Sequence, residues 1–401
     1  MLTPGYDAAL AQVFRQHTAR LMAAMTAFTG DFDLAEECVQ DALLTAIEHW
    51  PNEGLPERPA AWLLTTARRK ALDRLRRQTV YQEKIALLDT PPLTSEESTW
   101  AEDLLALVFT CCHPALAREA QVALTLRAVM GFTTAEIAAA FLTSPATIAQ
   151  RIVRAKRAIV ATRIPYRVPP ERERAERLEQ PLAVLYLVFN EGYLSAGGEV
   201  ARRNLADEAV WLAALLARQL PAEPEVIGLL ALMRLHLARA AARFGVDGAL
   251  VLLRDQDRRL WDRGEIAAAV GLIERAAALR RPGPYQLQAA IAACHAEAES
   301  WEVTDWAQIV ALYDRLLALA PSPVVRLNRA IARWQIAGPA QALAEVECLA
   351  TPLARYHLFH ATRGELLRAL GRTEEARAAD REALRRTRNP AERALLARRI
   401  G

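Results

Sequence analysis

The stretch TTARRKALDRLRRQ, residues 65–78, sets six cations (Arg68, Arg69, Lys70, Arg74, Arg76 and Arg77) beside one carboxylate, Asp73. Side chains of that type and density bind polyanions. Arginine in particular presents planar donors that suit phosphate oxygens and base edges. Each phosphate neutralised releases counterions, so such binding is strongly salt-dependent. On a helical wheel with Leu64 as reference, Ala67, Ala71 and Leu75 share one stripe. Lys70, Arg74 and Arg77 fall opposite, flanked by Arg69, Asp73 and Arg76. The plain alternative is a solvated helix face balanced by neighbouring glutamates.

A second cationic segment follows at 131–159, GFTTAEIAAAFLTSPATIAQRIVRAKRAI. Its layout is that of a helix-turn-helix. Thr133 or Thr134 caps a first helix carrying Ile137 and Ala138, and a short turn passes through Phe141 and Leu142. Ser144 is a good N-cap, and Pro145 takes the first helical position, where its missing N–H costs nothing. Ile148, Ile152 or Val153, and Ile159 face the core. Thr147, Gln150, Arg151 and Arg154 project near the start of the second helix, the part that enters a major groove in such motifs. Arg151, Arg154, Lys156, Arg157 and Arg163 have no acidic residue among them in the sequence.

Other chemistries find little support. The five cysteines (Cys38, Cys111, Cys112, Cys294 and Cys348) are odd in number and scattered, which argues against a disulfide framework and for a reducing, cytoplasmic setting. In CCHP, residues 111–114, adjacent helical positions point about 100° apart, too divergent to chelate together. Small buried thiols are the expected role, and no metal or cofactor is expected. No P-loop, GxSxG or paired catalytic carboxylates occur in a plausible frame, so an enzyme is not expected. The N-terminus lacks a basic run followed by an apolar core, and no stretch of about 18 uncharged apolar residues exists to span a membrane. A net charge of +3 confines any basic surface to a local patch.

These side chains must be held by helices. Ala, Leu, Arg and Glu dominate the 401 residues, and they lose little rotamer freedom in a helix. Convincing alternating Val/Ile runs and Asn-Gly hairpin signals are missing, so the chain is expected to be all-α, in several domains. GDFDLAEECVQDALLTAIEHW, 30–50, places Leu34, Cys38 or Val39, Ala42 and Ala46 on one side, with Asp33, Glu36, Glu37 and Asp41 on the rest. PNEGLPERP, 51–59, with three prolines and a glycine, reads as a loop. Residues 79–99 read as a linker, and 163–177 as a second boundary. Turn signals fall at 190–199, where Asn190, Glu191 and Gly192 suit one tight turn and Gly197–Gly198 another, and at 220–225, 280–285, 320–323 and 337–340. Residues 328–349 align with 362–383 at an offset of 34, matching Ala330 to Gly364 and Ala342 to Ala376. That period is the tetratricopeptide length, and small residues recur where paired helices approach closely. Plain helical hairpins of similar length are the alternative.

Taken together, DFDLAEECVQDALLTAIEHW, a Pro-rich loop and AWLLTTARRKALDRLRRQ resemble region 2 of bacterial extracytoplasmic-function (ECF) sigma factors, and FTTAEIAAAFLTSPATIAQRIVRAKRAI resembles their region 4. The resemblance implies region 2 over 1–78, the 79–99 linker and region 4 over 100–165. It implies that Asp33, Glu36, Glu37 and Asp41 dock on the β′ clamp helices of core RNA polymerase. Asn52 in the 51–59 loop, Trp62, Arg68, Arg69, Lys70, Arg74, Arg76 and Arg77 would handle the −10 promoter DNA. Ser144, Thr147, Gln150, Arg151, Arg154, Lys156 and Arg157 would read the −35 element, with neighbouring apolar residues on the β flap. The remaining chain resembles the group with a helical C-terminal extension, here an extension domain over 166–284 and tetratricopeptide-like repeats over 285–401. LYLVFNEGYLSAGGE, 185–199, looks like a signature of that extension. Such extensions imply regulation, with a protein or peptide partner on the repeats and no membrane. A repeat scaffold with an incidental DNA-binding half is the alternative function.

Overall fold

The computed structural model describes residues 4–77, 96–141, 143–194, 200–245 and 248–401. Among these, the chain is all-α: eighteen α-helices with short 3-10 and π turns, and an isolated bridge between Phe244 and Leu250 but no strand. It divides into two compact units, 1–188 and 189–401.

The first unit opens with α1 (Pro4–Thr29), α2 (Phe32–Glu53) and α3 (Pro59–Arg77). The Asp31 carboxylate starts α2 by accepting from the backbone N–H groups of Asp33 and Leu34, at 2.8 and 3.1 Å. Phe32, Ala35, Cys38, Val39, Ala42, Ala46 and Trp50 then form its buried stripe, so both Cys38 and Val39 face inward. The helix does not stop where the prolines begin. It runs through Pro51 to Glu53 and ends at Gly54, whose φ of +85° suits a residue without Cβ. Proline there removes a single intrahelical bond near the end, and the expected loop shrinks to 54–58. On α3 the buried row is Leu63, Ala67, Ala71 and Leu75, every fourth residue, while Leu64 is only half-buried. The small alanines let α3 lie close on α1 and α2.

The same unit continues with α4 (Glu96–Cys111), α5 (Arg118–Leu124), a π turn over Thr125–Val129, α6 (Thr134–Ala140), α7 (Pro145–Ala161) and α8 (Glu171–Leu194). The expected 79–99 linker lies largely outside the described residues, and α4 begins inside its final part. From Leu104 to Cys111 every side chain of α4 is buried, as expected of a helix covered all round. Helix α1 packs on α4 and on the π turn, so the two halves of the unit share packing. The Tyr166 hydroxyl lies 2.9 Å from the carbonyls of both Ala23 and Asp103, joining α1 to α4. Cys111 and Cys112 are buried, and burial pushes the Cys112 thiol up to about 12.

In the second unit α9 (Val200–Gln219) and α10 (Pro224–Leu237) precede α11 (Arg263–Ala278). Helical hairpins follow: α12 (Pro284–Glu297) with α13 (Trp306–Leu319), α14 (Pro323–Ala337) with α15 (Pro339–Glu347), and α16 (His357–Ala369) with α17 (Thr373–Arg386), closed by α18 (Pro390–Ile400). Helix α10 is buried on nearly every side and packs on α9, α11 and α12. A Cβ on Gly228 would sit 2.7 Å from the Gln286 backbone nitrogen, which explains a glycine inside that helix. Ala330, Ala342, Gly364 and Ala376 all pack in the core formed by α14 to α17. The expected turn at Asn190, Glu191 and Gly192 is instead the last part of α8. Tyr193 stacks on Phe189 at 5.4 Å, and the Arg243 guanidinium lies 3.8 Å from the Tyr193 ring. Local turn chemistry is overridden there by aromatic and cationic packing. Gly197 and Gly198 lie outside the described residues.

Candidate functional site

Helix α2 presents its acidic residues in two different ways. Glu37 and Asp41 lie beside α3, where the Arg74 guanidinium reaches them at 3.4 and 3.0 Å. Asp33 and Glu36 turn the other way, toward α7 and the π turn. Lys156 Nζ sits 2.6 Å from Asp33 Oδ1 and 2.7 Å from Glu36 Oε2. Arg127 donates to Glu36 Oε1 through Nε at 2.8 Å and also through Nη2. The side chains of Lys156 and Glu36 are only 12% and 19% exposed, so that pair is largely withdrawn from water, whereas Asp33 is 73% exposed at its edge. Burial disfavours the Glu36 carboxylate, but the hydrogen bonds and charges of Lys156 and Arg127 outweigh it and hold its pKa below the usual range. Burial likewise works against Lys156, yet Asp33 and Glu36 raise its pKa.

The basic helix departs from its wheel. Arg69 and Arg76 are exposed, Lys70 is half-exposed, and among the described residues none of the three has an acidic partner. Arg74, expected on the outer ridge, folds back onto α2, drawn by two carboxylates and the Cys38 sulfur at 3.5 Å. Arg68 lies over the Phe28 ring at 5.8 Å, with its Nε buried and without a hydrogen-bond partner among the described residues. Trp62 is half-buried and meets buried Trp50 edge-on at 5.3 Å, in a cluster that Phe14 extends. Asn52 is exposed on the last turn of α2 rather than in a loop. The Arg77 side chain lies outside the described residues.

Helices α6 and α7 form the helix-turn-helix. Thr133 caps α6 in a reciprocal capping box with Glu136. Ser144 caps α7 by accepting from Thr147 N–H at 3.1 Å, and the two hydroxyls lie 2.8 Å apart. Ile148, Ile152, Ala155 and Ile159 are buried, whereas Val153 is exposed, which decides between Ile152 and Val153. Gln150, Arg154 and Arg157 are exposed and Arg151 is half-exposed. Leu142, expected in the turn, lies outside the described residues. Lys156 is the exception in this set: it leaves the cationic face and closes on α2, because two carboxylates distant in sequence stand within reach.

Two features escaped the sequence. Arg127 bonds Glu36 because a π turn aims it there, and an i→i+5 bond such as Met130 N–H to Thr125 C=O leaves no mark in residue types. Leu44 and Ile47 are 57% and 42% exposed on α2. They lie outside the buried stripe at helical spacing, a signal that could have been read.

Comparison with known proteins fits these elements. Residues 13–80 match the model of Sigma-70 region 2, residues 106–159 that of Sigma-70 region 4, and residues 177–277 a family of unknown function, DUF6596. The chain is 46% identical over 385 residues to an uncharacterized protein of Rhizobium meliloti, covering 94% of this chain and 91% of that one. It is 34% identical over 157 residues to the ECF RNA polymerase sigma factor SigL of Mycobacterium tuberculosis, covering 37% of this chain and 86% of SigL. The chain belongs to the ECF sigma factors and carries a C-terminal extension. In this ECF sigma factor, α1 to α3 fall within the region 2 match or overlap it, and the helix-turn-helix of α6 and α7 falls in region 4 apart from the last residues of α7. The DUF6596 match runs from α8 through most of α11. Among the described residues, no helix is long and apolar enough to cross a membrane.

Proposed function

We propose that the chain binds core RNA polymerase and directs it to promoters through two helical DNA-reading faces, and that its C-terminal helices regulate this. The supporting observation is that α3 and α7 each bury an apolar row and carry cations that have no acidic partner among the described residues: exposed Arg69 and Arg76 with half-exposed Lys70 on one, exposed Arg154 and Arg157 on the other. In this reading the α3 cations neutralise phosphates around the −10 element, and Asn52 at the end of α2 contacts an unstacked base. Gln150, Arg151 and Arg154 face base edges of the −35 element, while Ser144 and Thr147 aim the helix N-terminus at a phosphate. Exposed Glu37, Leu44 and Ile47, with half-buried Asp41 beside them, make α2 a surface for the polymerase, with an apolar centre and an acidic rim. The hairpins of the second unit form a surface for a protein or peptide partner that controls activity.

Reconstitution with core RNA polymerase tests the reading. The full chain is expected to form a stable complex and to start transcription at defined promoters. A chain ending at Val188 is expected to keep polymerase binding and to change in activity. Failure of the full chain to associate with core enzyme under any salt condition would remove the proposal.

A further inference from the structure

Cations are not spread evenly over the second unit. From α14 to the start of α17 many arginines meet a carboxylate: Arg333 reaches Glu345, Arg363 reaches Glu347 at 2.8 Å, and Arg377 reaches Glu374 at 2.9 Å. Beyond Arg377 the balance breaks. Residues 381–401 hold seven arginines against two glutamates, a side-chain charge of +5 in a chain whose total is +3. Arg381 and Arg388 are exposed and have no acidic partner among the described residues. Arg385 and Arg386 share one carboxylate, Glu382. The second glutamate, Glu392, is turned to Thr387 and His357.

Tertiary packing gathers these charges. Arg386 Nε donates to the Ala354 carbonyl at 3.0 Å, which sets exposed Arg355 beside α17. Arg393 Nη1 donates to the Leu384 and Thr387 carbonyls at 2.9 and 3.2 Å, which brings α18 to the arginine-rich end of α17. His360 registers the field: burial lowers its pKa, and Arg386, Arg363 and Arg385 lower it further against a bond to the Ala354 carbonyl. We propose that Arg355, Arg381, Arg385, Arg388 and Arg393 grip the phosphate backbone of duplex DNA, giving the chain a DNA surface on its second unit.

The chemistry around the patch selects that partner. Crowded like charges repel one another, and a polyanion relieves the repulsion. Guanidinium groups match phosphate oxygens in shape as well as charge. A protein partner calls for an apolar centre, but from Arg381 to Gly401 no large apolar side chain is exposed. Residues 381–401 contain no aromatic residue, so unpaired bases would find nothing to stack on. Ala378, Ala394 and Ala397 are exposed between the arginines, short enough to let a sugar–phosphate backbone come close.

Fluorescence anisotropy of the free full-length chain on a labelled non-promoter duplex of about 30 base pairs measures the grip. Arg355→Gln, Arg381→Gln and Arg388→Gln together should weaken binding about tenfold at 50 mM salt and flatten the log–log salt slope by about 2.7. The same three positions changed to lysine should keep the slope, because charge alone sets it. Arg388→Glu, between α17 and α18, should by itself flatten the slope by at least about 0.9, and it serves if the triple variant fails to fold. Arg275→Gln, Arg315→Gln and Arg326→Gln remove equal charge from exposed arginines elsewhere in the unit that also lack acidic partners among the described residues, and should leave the slope unchanged. The grip is overturned if neither patch variant moves the slope, if the control trio moves it as far, or if the lysine variant loses as much as the glutamine one. Weaker association with core RNA polymerase, with DNA binding intact, would instead assign the patch to an acidic protein surface and overturn it too. No polymerase or promoter enters the anisotropy, so its failure leaves the promoter reading standing, and a chain that never binds core enzyme leaves the patch standing.

Discussion

Replacing Arg69, Lys70 and Arg76 together with alanine isolates the electrostatic work of α3. These three cations stand free of acidic partners among the described residues, so each is available to one phosphate. On duplex DNA the log–log dependence of affinity on salt should flatten by about 2.7, roughly 0.9 for each phosphate that is no longer neutralised. Between 50 and 200 mM salt the unmodified holoenzyme should therefore lose about 40-fold more promoter affinity than the variant. The fold should not suffer, since exposed substitutions of this kind stay within about 0.5 kcal/mol. Arg74→Ala supplies the contrast. Its guanidinium already serves Asp41 and Glu37, so the slope should change by less than 1, while region 2 is destabilised by up to about 1 kcal/mol from the broken pairs. Fluorescence anisotropy of labelled promoter DNA across a salt series, with thermal melts alongside, measures both. An unchanged slope in the triple variant, with a normal melt, would refute the assignment of α3 to phosphates.

Three further outcomes follow from the geometry. Leu44→Glu with Ile47→Glu should weaken polymerase binding by at least tenfold while leaving the melt unchanged, because both side chains are already in water; gel filtration with core enzyme reads it. Gly364→Ala would place a Cβ 2.6 Å from Asp380 Oδ1 and 3.2 Å from the Ala376 carbonyl, so overpacking should cost about 1–3 kcal/mol in denaturant unfolding of the second unit. Burial, with Arg239 and Arg243 nearby, pushes the His236 pKa down to about 3, and Arg239 donates to its Nδ1 at 3.1 Å. The unfolded chain then binds more protons than the folded one between the ordinary value of 6.5 and about 3, so stability falls as pH drops through that window. The loss is at most about 1.4 kcal/mol per pH unit for this group, and His236→Asn should flatten the decline between pH 6 and 4.5 in melts of the full chain.

Much of this was legible in the residue order for simple reasons. Helix type follows from composition and period, and the caps at Thr133 and Ser144 are local hydrogen bonds within three residues of their own helix. The buried rows of α2, α3 and α7 followed largely from the 3.6-residue repeat, although Leu34 on α2 and Leu64 on α3 are only half-buried, beside buried Ala35 and Leu63. Ala330, Ala342, Gly364 and Ala376 marked the places where hairpin helices meet, because close approach requires small side chains. The errors have different causes. Asn190–Gly192 read as a turn because turn preferences are worth a fraction of what tertiary packing supplies, and that segment is helical where it packs; Pro51 is tolerated near the end of α2, where it removes a single intrahelical bond.

The order of amino acids alone determined which helices exist, which face of each is apolar and where cationic residues concentrate, since each of these depends on neighbours within a turn or two. Only the tertiary structure decided which charges are available. Lys156 meets carboxylates 120 and 123 positions away, and Arg127 one 91 positions away, pairings that no local pattern encodes. Charge acts through space with a reach of several ångströms, so a side chain's freedom depends on what folding brings beside it.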